Sequence, residues 1–524
     1  MIVTTTVRGE LLVASQQAAL AALQADGVPE RLLAHDATLW GPDAEHEAAI
    51  RLGWLDAVEV SWRFVPELLA LRDALRAEGV DRVVLCGMGG SSLAPEVICR
   101  TADVPLTVLD STHPDQVRAV LEGDLSTTVV VVSSKSGGTV ETDSQRRVLA
   151  EAFRAAGIDP ATRMVVVTDP GSPFEQLARD EGYRAVFLAD PHVGGRYSAL
   201  TAFGLVPSAL AGADVELLLD QAESLRVRLT EDDNPALQLG SALGADGRDK
   251  IAIDAAASPL AGFGDWAEQL IAESTGKLGK GLLPVVVEAD APEVQWPADD
   301  VHVIRLGDEP PPLGTSVTGN LGQQLLTWEY AVAVSGRLLG INPFDQPDVE
   351  SAKVATRGLL DAQPEPEQPQ FVDRYVEVYA TDGLLTDQKS VDAAVAALLA
   401  TVPANGYLAV MAYLDRLRDA DLAAVRAPLA RRIERPVTFG WGPRFLHSTG
   451  QFHKGGPPVG VFLQVTGLVL HDVPIPDRPF TFGTLIAAQA AGDAKVLAEH
   501  GRPVLRLHLT AERGLGQVTK ALTA

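Results

Sequence analysis

Two cysteines, Cys86 and Cys99, are all that the 524 residues hold, too few for a disulfide framework or a structural zinc site. Basic residues are also scarce: 43 Lys and Arg face 69 Asp and Glu, a formal net charge of −26. Such a surface repels nucleic acid and anionic membrane at long range, so neither is expected as a partner. It leaves room for a small phosphorylated ligand, because a few backbone N–H groups at a helix start can hold one phosphate. No apolar run reaches the roughly 18 residues of a membrane span. The opening MIVTTTVRGELLVASQQ has no basic stretch feeding an apolar run, so no secretory signal is expected. What is present suits a globular protein able to bury large cores, with 46% apolar and 21% charged residues. At roughly 150 residues per domain the length suggests three or four domains. The expectation is a soluble cytoplasmic protein of a reducing compartment, and an enzyme.

Residues 1–55 are rich in Ala and Leu at helical spacing (Leu20, Leu23, Leu32, Leu33) and predict packing helices. From Arg82 the pattern changes to short apolar or β-branched runs, at Arg82–Cys86, Leu106–Leu109, Thr127–Val132, Met164–Thr168 and Ala185–Leu188. Stretches of helical composition such as Glu141–Ala156 separate them, which argues for parallel βαβ units and a doubly wound α/β sheet. A second cycle starts near Asn234, with strands expected at Ile251–Ile253, Pro284–Val287 and Val301–Arg305 and an amphipathic helix at Leu321–Leu339. The Pro/Glu/Gln-rich Gln363–Gln370 reads as a linker. Beyond it, strands are expected at Tyr375–Tyr379, Tyr407–Tyr413, Pro436–Phe439, Gly460–Thr466 and Pro503–Leu509. The predicted organisation is a helical segment over 1–55, α/β domains over 56–230 and 231–362, and a C-terminal α/β extension over 371–524.

Two glycine-rich turns carry chemistry. Gly87-Met88-Gly89-Gly90-Ser91-Ser92 joins a buried strand to a helix, where glycines admit close backbone approach and a helix start favours an anion. It also imitates a dinucleotide fingerprint, Gly87-x-Gly89-x-x-Ser92 with Asp110 at the end of the next strand, but the last glycine is missing. Ser133-Ser134-Lys135-Ser136-Gly137-Gly138-Thr139 follows the next strand and leads into a helix opening with Glu141. Hydroxyls, backbone N–H groups and a lysine converging on a helix start suit a phosphate monoester. Two such loops in one unit point to a phosphosugar rather than a dinucleotide, whereas a merely capped helix would need a single Ser or Thr.

Gly87–Pro95 and Ser134–Thr142 resemble the phosphate-binding loops of sugar isomerase domains, specifically those of the glucose-6-phosphate isomerase family. Three further motifs follow in that family's order. Val193-Gly194-Gly195-Arg196-Tyr197-Ser198 resembles its arginine motif and Glu273-Ser274-Thr275-Gly276-Lys277 its glutamate motif. Phe344-Asp345-Gln346-Pro347-Asp348-Val349-Glu350-Ser351-Ala352-Lys353 is similar to the signature ending in its catalytic lysine. The resemblance covers roughly residues 50–360 and implies two doubly wound parallel-sheet sugar isomerase domains. The implied activity is interconversion of D-glucose 6-phosphate and D-fructose 6-phosphate through an enediol(ate), as in glycolysis and gluconeogenesis, without cofactor or metal.

The resemblance also assigns roles. Gly90, Ser91, Ser134, Lys135, Ser136 and Thr139 would hold the phosphate, with Gly195 and Gln346 contacting the sugar. Glu273, after the apolar Trp266, Leu270 and Ile271, would be the base that carries the proton between C2 and C1. Arg196 would stabilise the enediolate. A histidine and Lys353 would share the opening of the sugar ring. Here the chain departs from the family, whose histidine lies between the glutamate and the lysine in a His-x-x-x-Gln pattern. His302 alone occupies that interval and lacks the pattern. Leu446-His447-Ser448-Thr449-Gly450-Gln451 has it, so His447 is expected to serve, with a smaller share left to His453 and Lys454. This displaced order resembles the isomerase half of fused transaldolase–glucose-6-phosphate isomerase proteins. The family implies a homodimer, with the histidine's subunit of origin open. Three alternatives stand beside this reading: an enzyme that also takes mannose 6-phosphate, a non-catalytic sugar-phosphate regulator, and a nicotinamide-dependent dehydrogenase. A regulator would need neither Glu273 nor Lys353.

Overall fold

The computed structural model describes residues 3–232, 234–245, 247–362 and 367–524. The strand Thr128–Ser133 (TVVVVS) is buried at every position, as a parallel strand covered on both faces must be. It lies at the centre of a five-stranded parallel sheet, ordered Thr107–Leu109, Arg82–Cys86, Thr128–Ser133, Met164–Thr168, Ala185–Leu188. Strand order reverses between Arg82–Cys86 and Thr128–Ser133. Crossovers to opposite faces diverge there and leave a crevice beyond the strands' carboxyl ends. Both glycine-rich turns leave the sheet at that crevice.

The second sheet runs Thr5–Arg8, Gly314–Val317, Val301–Leu306, Lys250–Asp254, Leu283–Val287. Its last four strands are parallel, and Thr5–Arg8 pairs antiparallel with Gly314–Val317. The segment expected to be all helical thus begins with a strand that closes the edge of a sheet formed some three hundred residues later. Helix Leu321–Leu339 also differs from expectation: it is buried on every face from Leu321 to Gly336, because helices Val215–Arg226, Pro235–Ala245 and Phe263–Thr275 pack around it in the core shared by the first two sheets. Several of its polar residues are paired inside: Trp328 Nε1 donates to Gln324 Oε1 at 3.0 Å and Thr327 Oγ1 to Gln323 O at 2.8 Å. Asn320 and Gln323 form a capping box at its start, and Gly340 in the left-handed region ends it.

Beyond the linker, of which 363–366 lie outside the described residues, a third sheet is ordered Phe371–Asp373, Val376–Ala380, Val504–Leu509, Gly460–Gly467, Tyr407–Tyr413, Val437–Trp441. Its last four strands are parallel and its first two form an antiparallel edge. One face carries its own helices, Val391–Leu399, Arg426–Ile433 and Arg513–Thr523. The other packs Tyr407, Met411 and Phe462 against Leu283, Val285 and Val303 of the second sheet. Helix Phe482–Glu499 turns Phe482 and Leu485 into the outer core of the first sheet beside Val84 and Val130, and Ile486 and Leu497 into the core under the third. Burying each such side chain is worth about 1.5–3 kcal/mol. The C-terminal section is therefore built into the rest of the molecule, and this packing carries its polar residues to the crevice. No helix among the described residues is long and apolar enough to cross a membrane.

Candidate active site

Gly89 has φ +56°, and a Cβ there would lie 2.8 Å from both Gln269 Nε2 and the His447 carbonyl oxygen. A Cβ on Gly90 would lie 1.9 Å from the carbonyl oxygen of Gly195. The first turn is thus wedged between the His447 loop and the Gly194–Arg196 turn, a fit that only glycine allows. Ser92 Oγ closes the turn on itself by donating to Gly89 O at 3.1 Å. Ser91 precedes it at the end of the short turn Gly89–Ser91.

In the second turn Ser134 Oγ accepts from Gly137 N at 3.1 Å and lies 3.4 Å from Thr139 Oγ1, and Ser136 Oγ accepts from Gly138 N at 3.2 Å. Thr139 precedes helix Val140–Ala155 without capping it through its side chain, so the helix start keeps N–H groups aimed outward. The Lys135 ammonium donates to Val193 O at 2.6 Å and pairs with Asp169 at 3.1 Å. It ties this loop to the arginine turn, and burial lowers its pKa.

Arg196 is buried and fully engaged. Its Nε donates to Ser274 Oγ at 2.9 Å, one terminal nitrogen to Gln346 Oε1 at 2.6 Å, and the other to Pro343 O and Asp345 O, both at 2.9 Å. The Gln346-side nitrogen lies 3.6 Å from Glu273 Oε2. Glu273 closes the buried helix Phe263–Thr275 and is 6% exposed. Burial raises its pKa, and the charges of Arg196 and His447 with the Gln269 hydrogen bond offset only part of that rise. Lys277 clamps the same loop by donating to Asn342 O and Asp345 O, and burial pushes its pKa down to about 8.

His447 lies in the turn Arg444–His447, with Nε2 3.0 Å from Glu141 Oε1. Burial pushes the Glu141 carboxyl up, and the charge and hydrogen bond of His447, with a backbone hydrogen bond and the charge of Lys353, together more than offset it, leaving its pKa below the ordinary value. Gln269 Nε2 donates to Glu273 Oε2 at 3.1 Å and to the His447 carbonyl oxygen at 2.9 Å, joining the glutamate to the histidine loop. Gln451, the end of the His-x-x-x-Gln pattern, donates to Gly276 O at 2.8 Å and Asp348 Oδ2 at 2.7 Å. It thereby pins the histidine segment to both the glutamate and lysine motifs. The four motifs, far apart in sequence, meet here.

A cavity of about 300 Å³ opens at this point, walled by Ser136, Thr139, Glu141, Lys353, His447 and Gln489. The structure therefore brings the second phosphate loop, the lysine and the displaced histidine to one cavity. Glu273 and Arg196 form a buried pair joined to it through Gln269, with the exposed Gln346 bonded to Arg196. Other expected candidates fall elsewhere. His302 is buried in its strand against Thr315 Oγ1 at 2.9 Å. His453 is stacked on Tyr407 and bonded to its hydroxyl at 2.9 Å, and burial pushes its pKa down to about 3. Lys454 is buried against Asp493 at 2.6 Å. Both serve packing rather than the cavity. Asp110, the would-be ribose partner of a dinucleotide, is fully buried and held by Arg444 at 3.0 Å and Arg416 at 3.4 Å, so it cannot face a ligand. Among the described residues His113, Asp115 and Asp415 approach one another as metal ligands would, but Asp115 is engaged by Arg118 at 2.6 Å and Arg418 at 2.7 Å. Nothing in the sequence marks Gln269 or Gln489, and Glu141 reads from it only as a helix start.

A family model described as phosphoglucose isomerase matches residues 74–234, which hold both glycine-rich turns and Arg196. The probable glucose-6-phosphate isomerase of Haloarcula marismortui is 30% identical over 351 residues, 53% of this chain and 78% of that protein. The chain belongs to the phosphoglucose isomerase family and is an isomerase. A glucose-6-phosphate isomerase of a Synechococcus species is 36% identical over 258 residues, 46% of this chain and 48% of that one. Among solved structures, a hypothetical protein from Thermus thermophilus superposes with a TM-score of 0.58 at 25% identity, covering 68% of this chain and all of that one. Glu273, Lys353 and His447 lie outside the stretch that the phosphoglucose isomerase model matches.

Proposed function

We propose that the protein interconverts D-glucose 6-phosphate and D-fructose 6-phosphate. The observation that carries this reading is the meeting of an anion-binding helix start, a histidine–carboxylate pair and a buried Glu273–Arg196 pair at one crevice. The phosphate docks on Ser134, Ser136, Thr139 and the N–H groups before Val140, with Ser91 on the facing turn. That contact positions carbons remote from it, so binding energy is used for orientation. His447 and Lys353 share ring opening: one gives a proton to the ring oxygen as the C1–O bond breaks, and the other takes the anomeric hydroxyl's proton.

In the open aldose the Glu273 carboxylate takes the C2 proton. The electron pair left behind forms the C1–C2 double bond, and negative charge moves to the former carbonyl oxygen. The C2 hydroxyl's proton passes to that oxygen, and Glu273 returns its own proton to C1 as the C2 carbonyl forms. A carboxyl with a raised pKa suits both halves, being a stronger base than an exposed one and still able to give the proton up. The Arg196 guanidinium, fixed by four hydrogen bonds to side chains and carbonyls, stabilises the charge without having to reorganise. Every group in this scheme comes from one chain.

The test is an assay for glucose 6-phosphate formed from fructose 6-phosphate. Turnover supports the reading. An inactive protein whose melting temperature nonetheless rises with sugar phosphates would replace it with the regulator reading.

A further inference from the structure

The Glu141 carboxylate has a second partner besides His447. Gln489, 2% exposed on helix Phe482–Glu499, donates from Nε2 to Glu141 Oε1 at 2.7 Å. Its carbonyl oxygen accepts from Thr112 Oγ1 at 2.6 Å. The loop that carries Thr112 is in turn fixed to the Glu141 helix, since Gln145 Nε2 donates to Ser111 O at 3.0 Å. The carboxylate, which only accepts, decides the amide's orientation, since a flipped amide would set its oxygen against Glu141 Oε1; with the NH₂ so placed, the Thr112 hydroxyl donates to the oxygen at the other end. Thr112, Gln489, Glu141 and His447 therefore form one directed chain that ends at the cavity.

We propose that Gln489 is a positioning residue for ring opening, holding Glu141 in the orientation that fixes the ring of His447. This inference rests on the isomerase reading and deepens it. With Glu141 Oε1 accepting from both Nε2 of His447 and Nε2 of Gln489, a neutral His447 keeps its proton on Nε2 and offers Nδ1 for proton transfer. Without the amide the carboxylate is free to rotate and the imidazole loses its fixed tautomer. Gln489 lies among alanines on a helix of the C-terminal section. That section thus supplies the histidine and also the residue that orients the histidine's partner.

The test separates ring opening from proton transfer. The 5-deoxy analogue of fructose 6-phosphate lacks the hydroxyl that closes the ring, so it reaches Glu273 without help from His447. Gln489→Met keeps the shape and removes both hydrogen bonds. It is expected to slow turnover of fructose 6-phosphate about tenfold, the size of one hydrogen bond to a charged group, and to leave turnover of the 5-deoxy analogue near that of the wild type. Thr112→Val should show the same split to a smaller degree, which covers the case of a poorly folded Gln489 variant. In a Glu141→Gln background Gln489→Met should add little, because the two act as one unit. Equal losses on both substrates, or no loss on either, overturn the proposal. A wild type inactive on both substrates overturns the isomerase reading beneath it.

Discussion

Nε2 of His447 lies 3.0 Å from Oε1 of Glu141 in the same chain, across 306 residues of sequence. The histidine motif, absent from the interval where the family places it, thus returns from the C-terminal section to the site of its own protomer. Its path is set by packing, since Gln451 and Gln269 stitch its loop to the glutamate motif. Arg444, three residues before it, is buried against Glu96 at 2.6 Å and Asp110 at 3.0 Å.

A site completed within one chain cannot be rebuilt by exchange between chains. Glu273→Gln and His447→Ala proteins are each expected to be nearly inactive. Mixing them, with time for subunits to exchange, is expected to restore nothing. Recovered activity in the mixture would show that the histidine crosses between copies.

Gly90→Ala tests the fit of the first turn. Its Cβ would fall 1.9 Å from Gly195 O, so the arginine turn has to move away and Arg196 moves with it. Overpacking of this kind costs roughly 1–3 kcal/mol of stability, readable as a lower denaturant midpoint. The expected activity loss is larger than the stability loss explains, because a shift of about 1 Å in a catalytic group costs about 100-fold.

The pH profile tests the electrostatics around Glu273. Its pKa is raised by burial and pulled down by Arg196, and it must be ionised to take the C2 proton. As pH falls through that raised pKa, kcat/KM is expected to fall, with the acid limb above the ordinary glutamate range. Arg196→Gln removes a positive charge that favours the carboxylate, so the limb should move to higher pH while the rate at its plateau drops about 100- to 1000-fold. A limb that moves to lower pH contradicts the assignment.

Glu329 supplies a stability test away from the chemistry. It is fully buried in helix Leu321–Leu339, with no side-chain partner for its carboxyl among the described residues, and burial raises its pKa well above the ordinary value. The folded chain therefore holds a proton that the unfolded chain releases above its own pKa of 4.5. Stability from this group is complete below that value and declines as pH rises toward the folded pKa, by at most about 1.4 kcal/mol per pH unit. Glu329→Gln removes the term, so its stability relative to the wild type should grow with pH when unfolding is followed from acid to neutral conditions. A constant difference would contradict this.

The sequence showed most clearly what is encoded locally. Runs such as Thr128–Ser133 are apolar and β-branched without alternation, and the glycine turns announce themselves by composition, so the first sheet and its crevice were legible. Thr5–Arg8 was not, because four residues of alternating partial burial carry no signal apart from the distant strand that pairs with them. Helix Leu321–Leu339 is legible as a helix, but its polar residues read as a wet face, whereas Gln323, Gln324, Thr327, Glu329 and Ser335 are all buried. Glu273 and His447 stood out through their motifs. Gln489 could not, since a lone amide in an alanine-rich helix acquires meaning only from Glu141, 348 residues away.

The central claim is that Glu273 carries the proton between C2 and C1. It is tested most directly by running fructose 6-phosphate in D₂O with the wild type and with Glu273→Gln. The account predicts that glucose 6-phosphate from the wild type carries at C2 both protium brought over from C1 and deuterium, the deuterium to the extent that the Glu273 carboxyl exchanges with solvent before it returns its proton. From Glu273→Gln, a well-folded protein, it predicts turnover and exchange both lower by about 1000-fold. Turnover by Glu273→Gln at a rate near that of the wild type would contradict it.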